Sequence, residues 1–269
     1  MIDTIPQWVA ALVVVYVCAA NLWAFLRRDR GALPGFWRVL FPVGQALFML
    51  GPPYAALLSG QMTPAMAAFD VPAWPRVVDT AVPLVAGAVV VTGAILWLHH
   101  RWLVGDTPSP APPRGRLEAA SREAGRYPSG VLPAVRMRAQ LSRPWGISFV
   151  LFDALCYQAH WAFYRLGAAL YLHDVPLGAA VGSLLVLLEW LLDPGWRARL
   201  WRPGLAEDQL LLLALMLTSA ALSVLLPGFW LLLVAHASMW LIWYTLLQRW
   251  YRSAVSVSHA HATLDSGLQ

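Results

Sequence analysis

Residues 80–98 read TAVPLVAGAVVVTGAILWL, a stretch without a charged side chain in which two threonines are the only polar residues. A helix of this length rises about 30 Å, which is the thickness of the hydrocarbon core of a bilayer. Six other stretches of similar length are also predominantly apolar. Together they predict an all-α fold, a polytopic bundle of seven transmembrane helices at roughly 8–26, 38–58, 80–98, 146–171, 175–192, 208–226 and 228–247.

The composition of the 269-residue chain excludes an ordinary soluble protein. Apolar residues make up 59% of the chain and charged residues 12%, against about 45–50% and about 25% in soluble domains. The lipid bilayer is therefore the predicted environment, and we expect no nucleic-acid partner. The two cysteines lie in separate apolar segments, so the sequence predicts neither a disulfide framework nor a cysteine metal site.

The distribution of arginine predicts the orientation of the spans. The net charge of +5 comes from arginine alone, because the sequence contains no lysine. Cytoplasmic loops collect basic residues, and seven spans with the N-terminus outside place 17 of the 19 arginines in the cytoplasm. Arg76 and Arg165 are the exceptions. The predicted location is the cytoplasmic membrane of a bacterium, with a cytoplasmic C-terminus.

A long polar loop divides the chain. We predict a three-helix N-terminal membrane part (1–104), a cytoplasmic linker rich in Pro and Arg (105–145), a four-helix membrane part (146–252) and a disordered tail (253–269). The linker begins with DTPSPAPPRG, a composition that favours an extended chain. Residues 59–79 are interrupted by prolines and are expected to lie on the outer surface.

Ionisable residues inside a span are candidates for function, because burying them in lipid is costly. The fourth predicted span contains FVLFDALCYQAHWAFYRLGAAL (149–170), in which Asp153, Tyr157, His160 and Tyr164 share one helical face. Its Arg165 lies near the outer end of the span. Each residue also has a plain structural interpretation: a histidine as a hydrogen-bonded helix contact, and Arg165 as a side chain that snorkels to the surface.

Two more candidates lie in the later spans. Glu189 is near the inner end of the fifth span and is expected to approach Asp153 or the cytoplasmic arginines. His236 lies in the seventh span at a depth similar to that of His160, so we expect the two histidines to meet. They are the candidate ligands of a zinc ion, and one neutral imidazole is also sufficient to ligate a tetrapyrrole. Neither cofactor is favoured over the other.

The same residues carry a resemblance to a protease family. The segment LPGFWLLLVAHASMWLIW (226–243) resembles the last motif of the CAAX-protease and bacteriocin-processing (CPBP, or Abi) intramembrane metalloproteases, with His236 at the metal-binding position and Trp240 where asparagine is expected. The segment QAHWAFYRLGAAL resembles the first motif of the family, in which a pair of glutamates precedes an arginine. Arg165 matches that arginine, but His160 and Trp161 occupy the glutamate positions.

The resemblance covers about 140–250 and implies a CPBP-like helical fold for that region. The family's middle motif requires a phenylalanine four residues before a histidine. His173 is the only histidine between the two outer motifs, and Ala169 stands where the phenylalanine would be. In the family the paired glutamates activate water and help to bind the metal. Their absence implies that this chain has lost the activity.

Three functions remain open at this stage. The first is an inactive CPBP-like protein that acts by binding a membrane-protein partner. The second is an active intramembrane metallopeptidase with rearranged groups, for which the catalytic candidates are His160, Arg165, Asp153 and Glu189. The third is an accessory subunit of a larger membrane complex that holds a pigment or haem through histidine. The sequence predicts the first, a protein that is not an enzyme.

Overall fold

All regular elements are helical in the part of the chain that the structure, a computed structural model, describes. The described residues are 4–28, 35–63, 66, 77–104, 146–200, 206–226, 228–243 and 245–246. The predicted all-α fold class is thus confirmed for these residues. The predicted linker, the predicted tail and most of the predicted surface segment 59–79 lie outside them.

The helices coincide with the predicted apolar segments. They are α1 (Ile5–Arg28), α2 (Gly35–Leu58), α3 (Val82–Val104, after a π-helical turn Val77–Ala81), α4 (Gly146–Leu172), α5 (Val175–Leu192), α6 (Pro194–Leu200), α7 (Ala206–Leu225) and α8 (Phe229–Trp243). The short α6 has no counterpart among the predicted segments. It follows Asp193, whose side chain accepts a hydrogen bond of 2.8 Å from the backbone N–H of Gly195, as residues at helix starts commonly do.

Within the described residues, three stretches are long and apolar enough to cross a membrane: Ile5–Phe25, Asp79–Leu98 and Val175–Leu192. Shorter apolar stretches occur in α2, α7 and α8, at Val43–Leu58, Gln209–Leu225 and Phe229–Trp243. Large apolar side chains on many of these helices point outward, where lipid is the solvent that accommodates them. The chain therefore has the helices of an integral membrane protein.

Helices α4 and α5 form a tight antiparallel hairpin. α4 is followed by His173, which adopts a left-handed backbone conformation with φ of 56°. Asp174 then starts α5 by accepting a hydrogen bond of 2.7 Å from the backbone N–H of Leu177. Two glycines of α5 allow the backbones to touch, because a Cβ at Gly178 would lie 2.3 Å from Ala169 Cα and one at Gly182 would lie 2.6 Å from Arg165 Cα.

The N-terminal helices pack around the C-terminal ones. α1 lies against α4, α5 and α6, α2 lies against α4, and α3 lies against α7. Val9 near the start of α1 contacts Gly167 near the end of α4, whereas Asn21 near the end of α1 donates a hydrogen bond to the carbonyl of Leu192 at the end of α5. Thus α1 runs parallel to α5 and antiparallel to α4.

Candidate functional site

Helix α4 presents polar side chains in two directions. Successive residues of an α-helix are rotated by about 100°, so positions two apart lie on nearly opposite sides, and positions four or seven apart lie on nearly the same side. His160 and Tyr164 therefore share one face of α4, while Gln158 and Arg165 share another. Because α4 is packed on several sides, each pair meets a different neighbour.

The first group, which we call the α4–α5 triad, consists of His160, Tyr164 and Glu189. Nε2 of His160 lies 3.0 Å from Oε2 of Glu189, and the Tyr164 hydroxyl donates a hydrogen bond to Oε1 of the same carboxylate. Glu189 is 1% exposed and His160 is 3% exposed. Both carboxylate oxygens are therefore engaged across the α4–α5 interface, inside the packed part of the protein.

The second group, which we call the α4–α7–α8 network, is centred on Arg165, which is 6% exposed. Its Nε donates to the backbone carbonyl of Trp161 at 3.1 Å, and its Nη1 donates to Ser223 at 3.3 Å. Its Nη2 donates to Ser219 at 3.0 Å and to Oε1 of Gln158 at 3.5 Å. Every partner is electrically neutral, and no carboxylate of the described chain forms an ion pair with this arginine.

Gln158 connects this network to His236 on α8. Oε1 of Gln158 also accepts a hydrogen bond of 2.8 Å from the hydroxyl of Ser219. Because its oxygen is occupied by donors, the amide directs Nε2 toward Nδ1 of His236 at 2.9 Å. An amide nitrogen only donates, so Nδ1 accepts, and the neutral imidazole carries its proton on Nε2. That Nε2 is buried and has no hydrogen-bond partner.

Aromatic rings surround His236. Its imidazole stacks on Trp161 with the ring centres 5.1 Å apart, and Tyr157 and Trp240 lie at 6.1 and 5.2 Å. His236 is 2% exposed. Trp240, which stands where the motif that this segment resembles has asparagine, therefore provides one wall of this aromatic box rather than a hydrogen-bonding amide.

The remaining members of the predicted polar face are also inside the protein. Tyr157 is buried, and Asp153 is half-buried with Oδ2 shielded from solvent and without a hydrogen-bond partner. The predicted inward orientation is confirmed for Tyr157, His160 and Tyr164, which are buried, whereas Asp153 is only half-buried. Nearby, the hydroxyl of Tyr16 on α1 donates to Oδ2 of Asp193 at 3.4 Å, a contact that joins α1 to the end of α5.

The structure brings together a different set of residues from the predicted set. We expected His160 to meet His236, but no hydrogen bond or ring contact joins these two described histidines. Glu189, expected near Asp153 or the cytoplasmic arginines, binds His160 instead. Arg165 does not snorkel, because its guanidinium is held by α4 and α7. The sequence determines neither the rotation of each helix about its axis nor the register of α5 against α4.

Sequence reasoning missed Gln158, Ser219 and Ser223. A signal for them exists, because Gln158 precedes Arg165 by seven residues and Ser219 precedes Ser223 by four, and these spacings place each pair on one helical face. An intramembrane arginine needs such partners. Searching the other spans for a matching pair of small hydroxyl side chains would have indicated α7.

The residues present do not fit a catalytic metal. Zinc hydrolases use about three protein ligands and an open position for water. Among the described residues, no three His, Cys, Asp or Glu side chains form a group that could hold a metal ion. A ligating histidine must also offer a nitrogen lone pair. In His236 the Nδ1 lone pair accepts from Gln158 and Nε2 carries the proton, so this arrangement also does not provide an axial ligand for a tetrapyrrole.

We compared the chain with known protein families, curated proteins and solved structures. No protein family, no curated protein and no solved structure matches this chain. The resemblance to CPBP proteases therefore depends only on the motif residues of the chain itself.

Proposed function

We propose that this protein is a non-catalytic integral membrane protein that acts by binding a membrane-protein partner. In this proposal it crosses a bacterial cytoplasmic membrane seven times, with its N-terminus outside. The observation that carries the proposal is the engagement of Glu189, whose two carboxylate oxygens are bound by His160 and Tyr164 within the bundle. The polar residues that suggested a CPBP-like active site thus join helices to one another.

The chemistry of peptide hydrolysis supports the same proposal. A general base must reach a water molecule that is also positioned against the substrate. Glu189 is 1% exposed and both its oxygens have partners on α4. His236 offers Nε2–H, which is a donor, inside a box of three aromatic rings. Neither group is arranged to activate water, so the proposal assigns them to structural roles.

The outward face of α3 is the surface that we assign to the partner. Among the residues of Asp79–Leu98 only Ala81, Thr92 and Leu96 are buried. The outward positions include the small residues Ala86, Gly87 and Ala94. A Cβ added at Gly87 would meet nothing within 4 Å. In lipid, helices associate through close packing at small residues, so this face is suited to a helix from another protein.

Metal analysis, spectroscopy and activity on the purified full-length protein test the non-catalytic part of the proposal. We expect no stoichiometric zinc, no absorption band of a haem or chlorin, and no cleavage of membrane peptides. One zinc per chain that is lost in His236→Ala would favour an active metallopeptidase instead. A tetrapyrrole band lost in the same variant would favour a pigment-bound or haem-bound accessory subunit.

Photocrosslinking in native membranes tests the partner. A photoreactive residue at Val90, which is 71% exposed, should yield an adduct with a protein of one discrete mass. Gly87→Ile should abolish this adduct, because the added side chain blocks close approach of a second helix. Gly44→Ile is the matched control, since Gly44 lies on α2 and also faces open space. Adducts with lipid alone, or equal loss in both variants, would contradict a partner on α3.

A further inference from the structure

A large apolar pocket lies beside the buried arginine. It has a volume of about 700 Å³, within the range of about 300–1,000 Å³ that is typical of small-molecule sites. It extends from Arg165 and Ser223 to Leu57 at the end of α2, Val175 at the start of α5 and Trp230 on α8. Almost all of its other lining residues are apolar, so a polar ligand of this volume would leave its polar groups without partners.

Small side chains of α4 create the room for this pocket. Ala159, Ala162 and Ala169 line it along the helix, and they lie within about 15 Å of one another at 1.5 Å per residue. Larger side chains at these positions would reduce the volume of the pocket. The pocket is therefore an elongated apolar space along α4, which is a shape suited to a hydrocarbon chain.

The guanidinium of Arg165, which lines one side of the pocket, has no negatively charged partner among the described residues. Its four hydrogen-bond partners are a backbone carbonyl, two serines and the amide of Gln158, and no described carboxylate pairs with it. Nη1 donates to Ser223 alone, which leaves a second N–H of that nitrogen without a partner. A buried cation in this position favours an anionic ligand, because a charge removed from water requires a counter-charge.

We propose that the pocket binds a long-chain fatty acid, with the carboxylate on Arg165 and the hydrocarbon chain along α4. The inference goes beyond partner binding and does not depend on it. A carboxylate matches the guanidinium geometrically and electrostatically. A phospholipid fits less well, because Arg165 is seven residues before the end of α4 and so about 10 Å from that helix terminus, whereas a headgroup belongs at the surface.

The test measures binding to the full-length protein in phosphatidylcholine nanodiscs. The probe is a long-chain fatty acid with a photoreactive group in the chain, and the competitors are the unlabelled fatty acid and the fatty alcohol of equal length. Since hydrogen bonds to charged groups contribute more than neutral ones, the acid should compete roughly tenfold to hundredfold more strongly than the alcohol. Labelled peptides should map to α2, α4 or α8.

Variants separate the charge from the pocket. Arg165→Gln should remove the preference for the acid, and Arg165→Lys should retain most of it. Ala162→Trp should abolish binding of both compounds by filling the pocket, whereas Ala180→Trp, at an exposed position of α5 outside the pocket, should leave binding unchanged. If Arg165→Gln does not fold, two measurements still test the proposal. They are the preference of Arg165→Lys for the acid over the alcohol and the loss of binding of both compounds in Ala162→Trp.

Three results would overturn the proposal. The first is equal competition by acid and alcohol in the wild-type protein. The second is unchanged binding in Ala162→Trp. The third is displacement of the probe by phosphatidylglycerol more strongly than by the fatty acid, which would assign the site to a phospholipid headgroup.

Discussion

The side chain of Gln158 determines the chemical character of His236. Its oxygen accepts from Ser219 and Arg165, so its nitrogen must donate to Nδ1 of the imidazole. A histidine held in this way presents an N–H on its other side. The same amide therefore links a buried cation to a buried aromatic box, and it explains why this histidine has a structural role although it occupies a position that resembles a metal ligand.

Double-mutant cycles test the pairing of individual residues. We expect His160→Leu and Glu189→Leu to be coupled by about 0.5–3 kcal/mol in the free energy of unfolding, because the two side chains are in contact. His236→Leu and Gln158→Leu should be coupled to a similar extent. The measurement is denaturant unfolding of the full-length protein in detergent micelles.

The pair His160 and His236 is the control for these cycles. The two histidines share no hydrogen-bond partner, so His160→Leu and His236→Leu should be additive within about 0.5 kcal/mol. Strong coupling between them, with additivity inside the two contacting pairs, would mean that α5 and α8 are arranged around α4 in another way.

The sequence predicts the polar face of α4 but not its partners. Helical periodicity places Tyr157, His160 and Tyr164 on one side, and burial of all three agrees with this. The periodicity of α4 contains no information about which helix stands opposite that side. The sequence places His236 at the depth of His160 and Glu189 nearer to Asp153, and only the packing and register of α5 against α4 decide that Glu189 meets His160.

At the level of helices, the contact between α4 and α5 depends on two glycines. Gly178 and Gly182 are four residues apart, and their Cα atoms face the backbone of α4 at Ala169 and Arg165. This close approach positions Glu189, further along α5, against the triad residues of α4. The spacing corresponds to the small-residue motif that packs helices in membranes.

A methyl group at either glycine should separate the two helices. The Cβ of Gly182→Ala would lie 2.6 Å from backbone atoms of Arg165, and backbone cannot move aside as a flexible side chain does. We expect a loss of about 1–3 kcal/mol or more in the free energy of unfolding, measured in micelles. Gly87→Ala is the matched control, because it meets nothing within 4 Å and should be neutral or stabilising by up to about 1 kcal/mol. Equal effects in both variants would contradict the close contact.

Helix positions are much easier to predict than helix contacts. The apolar runs predicted 146–171 and 175–192, and the helices are Gly146–Leu172 and Val175–Leu192, because the length of an apolar run and its polar ends determine both bounds. The helix Pro194–Leu200 is too short for such a run to indicate. Its start depends instead on Asp193, whose capping hydrogen bond is a local interaction.

For the whole molecule, the relative directions of the helices support the proposed alternation of spans. α1 runs parallel to α5 and antiparallel to α4, as the contacts of Val9 and Asn21 indicate. Ala81, the last residue of the π-helical turn before α3, packs in one cluster with Leu232 near the start of α8, so these helices begin at the same end. In a seven-span protein, the first, third, fifth and seventh spans all run in the same direction.

Cysteine accessibility tests the complete topology. In a variant without native cysteines, Cys18→Ala with Cys156→Ala, a single cysteine at Ser59 or His173 should react with an impermeant maleimide in intact cells, because both positions are exposed and lie outside in the proposed topology. A cysteine at Gly115 or Ser256 should react only after permeabilisation, since the arginine distribution assigns both to the cytoplasm. Each variant labelled after detergent extraction controls for expression. Labelling of Gly115 in intact cells, or protection of His173, would exclude seven spans with the N-terminus outside.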